Sequence, residues 1–163
     1  GGEIMTRRKQ LVAMAEQKWP KLRELVEGIL RGDENGNGRP SRIFVWSEYI
    51  NALEKAKEEL NRNGRVDELV TGQTPKEERR RLLTEAWGRD FPVLLIAKIG
   101  EEGLDYKDAT HGIIIAGANT ARQNVQRVGR LMRPQPGKIA KLFIIFAERT
   151  LEERLLETID SVV

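Results

Sequence analysis

The sequence predicts a three-layer α/β domain in which a mainly parallel sheet is flanked by helices. Short apolar runs alternate with amphipathic segments along most of the 163-residue chain. Several of the short runs are apolar throughout, a pattern typical of strands buried on both faces of a parallel sheet. Right-handed crossovers between such strands place helices on both faces of the sheet.

The composition supports a single folded domain and excludes several chemistries. Hydrophobic residues make up 39% and charged residues 33% of the chain, which is too apolar for a disordered protein. The sequence has no cysteine and one histidine, so disulfides and thiolate metal sites are excluded and Ser-His-Asp catalysis is disfavoured. Its apolar runs are far too short to span a membrane, and we expect an intracellular protein of the cytoplasm, nucleoid or nucleus with no metal ligands of its own.

Three segments follow one another along the chain. Apolar residues recur near the helical period over residues 1–31, and Pro20 interrupts them, which favours two helices. This segment either packs on the domain or links it to another one. Residues 32–40 are rich in glycine and other turn formers, which predicts a flexible loop. The compact domain is predicted over residues 41–163.

Strands and helices are predicted to alternate within that domain. The strands are expected at 43–46, 67–70, 93–97, 112–116 and 142–146, and the helices at about 48–62, 75–87, 121–132 and from 151 onward. The second of these helices begins with a capping box, Thr74-Pro75-Lys76-Glu77, in which Pro75 takes the favoured first helical position.

The charge is distributed unevenly. The whole chain carries +3, yet residues 109–147 contain no Asp or Glu. The basic residues of this stretch are Arg122, Arg127, Arg130, Arg133, Lys138 and Lys141. Such a stretch is either a solvated basic face or the binding surface for an anion such as phosphate or nucleic acid.

The helix predicted at 121–132 divides into an apolar and a polar face. At about 100° per residue, Gln126, Arg130 and Arg133 share one side, and valine, leucine and methionine occupy the other. Arg127 lies at the margin between the two. Arginine holds phosphate oxygens with a planar fork of donors, so this face suits a polyphosphate. Alternatively, these arginines are solvated or paired with surface carboxylates.

The spacing Gln126-Arg127-Val128-Gly129-Arg130-Leu131-Met132-Arg133 resembles motif VI of superfamily-two helicases. The resemblance covers the chain from Ser41 to its end, the extent of the second RecA-like domain of these motors. Ile43–Ser47 is similar to motif IV, and Val93–Asp105 to motif V. Within the superfamily, the sequence most resembles XPB-like DNA repair helicases.

The resemblance implies a RecA-like fold of the P-loop NTPase type and a set of nucleotide contacts. Arg130 and Arg133 would be arginine fingers that reach the γ-phosphate of ATP, and Gln126 would orient the site. Arg127 would support the nucleotide or the domain interface. Asp105, together with Gly103 in the same motif, would contact the ATP ribose. The alternative for Asp105 is an acidic residue that caps a turn.

The resemblance also implies a nucleic-acid track along the loops that follow the strands. Its members would be Ser47, Gly72, Arg79, Ala97, Lys98 and Gly100. Many helicases of this superfamily have threonine where this chain has Ala97, and glutamine where it has Lys76. Without the resemblance, these residues are ordinary loop residues, and Arg79 belongs to a solvated helix face. Trp46 would fit a base, but its apolar strand favours a place in the core.

The sequence lacks the parts that hold ATP and magnesium in such motors. It contains no G-x-x-x-x-G-K-[ST] phosphate loop and no acid pair after a strand. We therefore expect half of a motor, an ATP-dependent helicase or translocase acting on DNA rather than RNA, with DNA repair implied by the XPB-like resemblance. An N-terminal RecA-like domain of the same full-length chain would supply the phosphate loop and the Mg²⁺ ligands, and the isolated chain would be inactive. The alternative is a stand-alone basic nucleic-acid-binding module without ATPase activity.

Overall fold

A parallel five-stranded sheet forms the centre of the molecule, with strand order β2-β3-β1-β4-β5. The computed structural model describes residues 18–32, 41–97, 109–117, 119–131 and 141–146. The strands are β1 (Ile43–Ser47), β2 (Glu68–Val70), β3 (Val93–Ala97), β4 (His111–Ala116) and β5 (Lys141–Phe146). The helices are α1 (Lys18–Arg31), α2 (Ile50–Leu60), α3 (Lys76–Arg81) and α4 (Ala121–Leu131), and a π-helical turn (Leu82–Ala86) follows α3.

The predicted α/β class and all five predicted strands are confirmed, because the apolar runs are buried as expected. Every residue of β1 and β3 is buried, and so are the last five residues of β4. The chain moves from β1 toward one edge of the sheet through α2, and from β4 toward the other edge through α4. Right-handed crossovers therefore put these two helices on opposite faces, which gives the three layers.

Helix α1 packs against α2 and joins the core of the domain. Leu22 and Val26 of α1 are completely buried. Arg23 forms an ion pair with the buried Glu59 of α2 at 3.5 Å, and Arg62 approaches the same carboxylate at 3.1 Å. Pro20 lies inside α1, so the helix is not interrupted there. The rest of the predicted segment, residues 1–17, and most of the loop at 32–40 lie outside the described residues.

The helix predicted at about 75–87 is present over residues 76–86, but its second half is a π-helical turn and not a regular α-helix. After Arg81 the backbone widens into the π-helical turn, where the Trp87 N–H donates to the Leu82 carbonyl at 2.9 Å. This turn presents the Leu83 carbonyl to Arg42, whose Nη2 donates to it at 3.2 Å. The Arg42 guanidinium also stacks over the Trp87 ring, 4.3 Å from its centroid. Packing between distant parts of the chain therefore overrides the local helical pattern.

The predicted capping box at Thr74 is also wrong. The Thr74 hydroxyl accepts the N–H of Thr71 at 3.0 Å, and α3 begins without a side-chain cap. The hydroxyl therefore closes the turn before the helix. The helix predicted from residue 151 lies outside the described residues. None of the helices in the described part of the chain has the length and apolar character that a membrane span needs.

Candidate functional site

Three adjacent strands end at the same edge of the sheet and bring predicted contact residues together. Ser47 at the end of β1 is in register with Ala97 at the end of β3. Val70 at the end of β2 is in register with Ile96, so the turn containing Gly72 begins at this edge as well. In parallel α/β sheets, ligands bind beyond the carboxyl ends of the strands. Lys98 and Gly100 lie outside the described residues.

These residues differ in how much of them reaches the surface. Ser47 is completely buried and Ala97 is 3% exposed. The Ser47 hydroxyl accepts the N–H of Tyr49 at 3.0 Å, which closes the turn after β1. Gly72 is exposed, and Arg79 is half-buried. Gly72 therefore faces solvent and Arg79 does so in part, whereas Ser47 and Ala97 lie beneath the surface of this edge.

The turn that carries Gly72 is held by two threonine side chains. The Gln73 N–H donates to the Thr71 hydroxyl at 3.0 Å, and the Thr71 N–H donates to the Thr74 hydroxyl. The Thr74 N–H donates to the Thr71 carbonyl at 3.1 Å. Local hydrogen bonds of this kind fix a tight turn. The backbone at Gly72 is therefore presented in one conformation without a side chain to cover it.

Helix α3 carries three consecutive arginines in different environments. Arg81 holds Glu78 through two hydrogen bonds of 3.0 and 2.7 Å. Arg80 bonds to Glu77 and Glu85, each at 3.2 Å. These hydrogen bonds raise the pKa of Arg80 and Arg81, and the bond to Arg81 lowers the pKa of Glu78.

Arg79 differs from its two neighbours. Its Nε is buried and has no hydrogen-bond partner within the described part of the chain. A buried donor without an acceptor is unfavourable, and such groups are rare in folded proteins. Of the three arginines of α3, Arg79 is thus the one that no carboxylate of the described residues holds.

Helix α4 has the two faces that the sequence predicts. Ala121, Asn124 and Val128 are buried, and Arg122, Gln123, Gln126 and Gly129 are exposed. Arg127 is half-buried, in agreement with its marginal position. No residue of this helix is acidic, so its own side chains offer the arginines no carboxylate.

The other predicted nucleotide contacts are only partly described. Arg130 belongs to the last turn of α4, where the backbone is described. Arg133, Asp105 and Gly103 lie outside the described residues. Within the ranges that the structure describes, no three His, Asp or Glu side chains form a group that could hold a metal ion.

A contact that the sequence did not reveal joins α4 to the turn after β1. Asn124 Nδ2 donates to Glu48 Oε1 at 2.9 Å, although 76 positions separate the two residues. Asn124 is 1% exposed, whereas Glu48 is half-buried. Only the three-dimensional structure places these two side chains together.

Two aromatic residues at this edge have opposite environments. Trp46 is 3% exposed, which confirms the prediction that it belongs to the core. Tyr49 is 38% exposed, and the neighbouring Ile50 is 43% exposed. Tyr49 follows the buried strand by two positions, a signal that would have identified it as a surface aromatic at the strand end.

Comparisons with known proteins match most of the chain to one family. The profile of the "Helicase conserved C-terminal domain" family matches residues 17–135. A "Putative DNA 3'-5' helicase Rad25" from Halobacterium salinarum is 29% identical over 90% of this chain and 22% of its own length. The "DNA 3'-5' translocase XPB2" from Sulfurisphaera tokodaii is 36% identical over 53% of this chain and 20% of its own length.

A solved structure confirms the fold. The Hef helicase domain from Pyrococcus furiosus superposes with a TM-score of 0.57 and 27% identity, covering 86% of this chain and 28% of that structure. The predicted three-layer RecA-like α/β architecture is therefore confirmed. The chain spans about a fifth of the length of the Rad25 and XPB2 proteins that it matches.

Proposed function

Because this chain belongs to the helicase conserved C-terminal domain family, we propose that it is the C-terminal motor domain of an ATP-dependent DNA helicase or translocase of the Rad25/XPB type. The observation that carries this proposal is the exposed polar face of α4, which combines arginine and glutamine without any acidic residue. Such a face suits the phosphates of a nucleotide. DNA repair is the role proposed from the XPB likeness.

The residues present fit the nucleotide but not its metal ion. The arginines of α4 suit an anion, whereas no three His, Asp or Glu side chains of the described residues cluster where they could hold Mg²⁺. We therefore assign the phosphate loop and the Mg²⁺ ligands to an N-terminal RecA-like domain of the full-length protein. Bound ATP supplies the phosphoanhydride bond whose hydrolysis drives movement.

Each nucleotide-facing residue has a proposed role. Arg130 and Arg133 act as arginine fingers that neutralise the charge developing on the transferred phosphoryl group. Gln126, exposed on the same helix, helps to orient the site. Arg127, which is half-buried, supports the interface between the two RecA-like domains. Asp105 and Gly103 hold the ATP ribose.

The nucleic-acid strand is proposed to lie across the carboxyl edge of the sheet. Arg79, with Lys98, supplies positive charge, and Gly72 and Gly100 let phosphates approach the backbone. Ser47 and Ala97 are buried beneath the surface of this edge and support its backbone. Contacts of this kind are independent of sequence and sensitive to salt. To this set we add Tyr49, whose exposed ring offers a base a surface for stacking.

Steady-state ATP hydrolysis by the full-length protein tests the proposal. It is measured without polymer and with single-stranded DNA, duplex DNA and RNA in turn. We expect DNA to stimulate hydrolysis, and we expect the isolated chain to show negligible hydrolysis. If no polymer stimulates the full-length protein while the isolated chain binds DNA in a salt-sensitive manner, the stand-alone binding module replaces the motor.

A further inference from the structure

The Glu48–Asn124 hydrogen bond connects the two halves of the proposed site. Asn124 lies on α4, the helix to which the proposed nucleotide contacts Gln126, Arg127 and Arg130 belong. Glu48 lies between Ser47 and Tyr49, and the N–H of Tyr49 is in turn held by the Ser47 hydroxyl at 3.0 Å. One side-chain hydrogen bond therefore joins α4 directly to the turn at the nucleic-acid edge, and a second bond closes that turn.

Both partners are held firmly on their own elements. The Asn124 N–H donates to the Thr120 carbonyl at 2.9 Å, and its side-chain amide also reaches the Thr120 hydroxyl at 3.4 Å. The Tyr49 carbonyl accepts the first helical bond of α2, from the N–H of Leu53 at 3.2 Å. The link therefore joins two ordered backbones, not two mobile side chains.

The chemistry of the pair makes the link strong. A hydrogen bond to an ionised carboxylate is about twice as strong as one between neutral groups. Because Asn124 is 1% exposed, water cannot replace a lost partner easily, and an unpaired buried amide is costly. A displacement of α4 therefore moves the turn after β1 with it, unless this bond breaks.

We propose that the Glu48–Asn124 pair is a positioning pair that couples nucleotide binding on the α4 side to nucleic-acid affinity at the turn after β1. This inference rests on the proposed function. Coupling between two sites is typically about 5- to 150-fold in affinity, and it is reciprocal. The nucleotide therefore changes DNA affinity by the same factor by which DNA changes nucleotide affinity.

The test measures the affinity of the full-length protein for single-stranded DNA with and without a non-hydrolysable ATP analogue. The ratio of the two affinities is the coupling factor. Asn124→Asp places a second carboxylate against Glu48, so the ratio should fall toward one while DNA affinity without the analogue stays unchanged. In the double variant Glu48→Gln/Asn124→Asp, the glutamine amide donates to the new carboxylate, and the wild-type ratio should return.

Controls separate the coupling from folding and from the proposed function. Glu54→Gln, which alters an exposed carboxylate of α2, should keep the wild-type ratio. If Asn124→Asp does not fold, Glu48→Ala leaves α4 intact and should lower the ratio in the same way. A wild-type ratio in Asn124→Asp, or a double variant without recovery, overturns the coupling. A wild-type protein that binds neither DNA nor nucleotide overturns the proposed function itself.

Discussion

Helices α3 and α4 both carry several arginines, but acidic residues accompany these arginines only in α3 and the turn that follows it. In α3, Arg80 and Arg81 are bound to carboxylates of the same segment, at 2.7 to 3.2 Å. In α4, the span Ala121–Leu131 contains no acidic residue at all. Arginines paired within their own helix form a solvated, self-neutralised face, which contributes little to stability.

The difference shows which arginines hold a carboxylate of their own segment. A guanidinium that already holds a carboxylate bidentately, as Arg81 holds Glu78, must release it before it can bind a phosphate. The arginines of α4 have no such competitor on their own helix. The number of arginines is therefore less informative than the positions of the acidic residues.

The largest expected effect is on ATP hydrolysis. Arg130→Ala in the full-length protein should lower kcat on the order of a thousandfold or more, because an arginine finger stabilises charge only in the transition state. Arg80→Ala, which removes a self-neutralised arginine of α3, should change kcat by less than about twofold. Steady-state hydrolysis and DNA titration check both variants. Equal losses in the two variants would contradict the distinction between the helices.

Replacing either of two glycines by alanine should change the free energy of unfolding in opposite directions. At Gly129 an added Cβ would meet nothing within 4 Å, whereas at Gly112 it would collide with the Phe44 ring and lie 2.9 Å from Leu142 Cδ1. Gly112→Ala should therefore destabilise the fold by about 1–3 kcal/mol through overpacking. Gly129→Ala should stabilise α4 by about 0.5–1 kcal/mol, because alanine favours a helix. Urea unfolding measures both.

Gly129→Ala should nevertheless lower ATP hydrolysis by the full-length protein. Nothing in the described part of the chain requires glycine at this exposed position, so we attribute the glycine to the close approach of a ligand or the partner domain. A variant that is more stable and less active supports this reading. Full activity in the Gly129→Ala protein would contradict it.

A smaller effect is expected for DNA binding through α3. Arg79→Ala should weaken single-stranded DNA binding and lower the salt dependence, the slope of log K against log salt concentration, by about 0.7, the value of one phosphate contact. Arg81→Ala is the matched control from the same helix, and it should leave this slope unchanged since Glu78 occupies its guanidinium. Titrations at several salt concentrations measure the slopes. A larger change in the Arg81 variant would reverse the assignment.

Most of the fold could be predicted from the sequence because it depends on local patterns. The strand Val93–Ala97 is predicted with the same ends that the structure shows. A short, continuous apolar run is typical of a strand buried on both faces of a parallel sheet. The two faces of α4 follow from the helical period alone. The arginine motif was recognisable because its residues are close together in sequence.

The features that escaped prediction depend on residues distant in sequence. The π-helical turn after α3 contacts Arg42, which donates a hydrogen bond to the Leu83 carbonyl 41 positions away. The Glu48–Asn124 bond spans 76 positions. Thr74 was expected to cap α3, but its hydroxyl has a nearer donor at Thr71. Local propensity cannot choose between competing hydrogen-bond partners when tertiary packing decides.

The smallest expected effect is on the pH dependence of the free energy of unfolding. The hydrogen bond from Arg81 lowers the pKa of Glu78 below its usual 4.5, so the stability it contributes is present above 4.5 and is lost as pH falls through the lowered value. Glu78→Gln should therefore be less stable than the wild type at neutral pH and converge with it in acid. Helix α4 contains no acidic residue that could form such a pair within the helix.

Asp67 is the control, because its contribution to stability should change with pH in the opposite direction from that of Glu78. Burial raises its pKa above 3.8 despite the opposing charge of Arg65, so the folded protein binds this proton more tightly than the unfolded chain. Its contribution to stability therefore increases as pH falls through the raised value toward 3.8. Urea unfolding of the wild type, Glu78→Gln and Asp67→Asn across this range measures both signs. If Glu78→Gln still differs from the wild type in acid, the Arg81–Glu78 ion pair does not account for its effect, and the charge contrast between α3 and α4 loses this support.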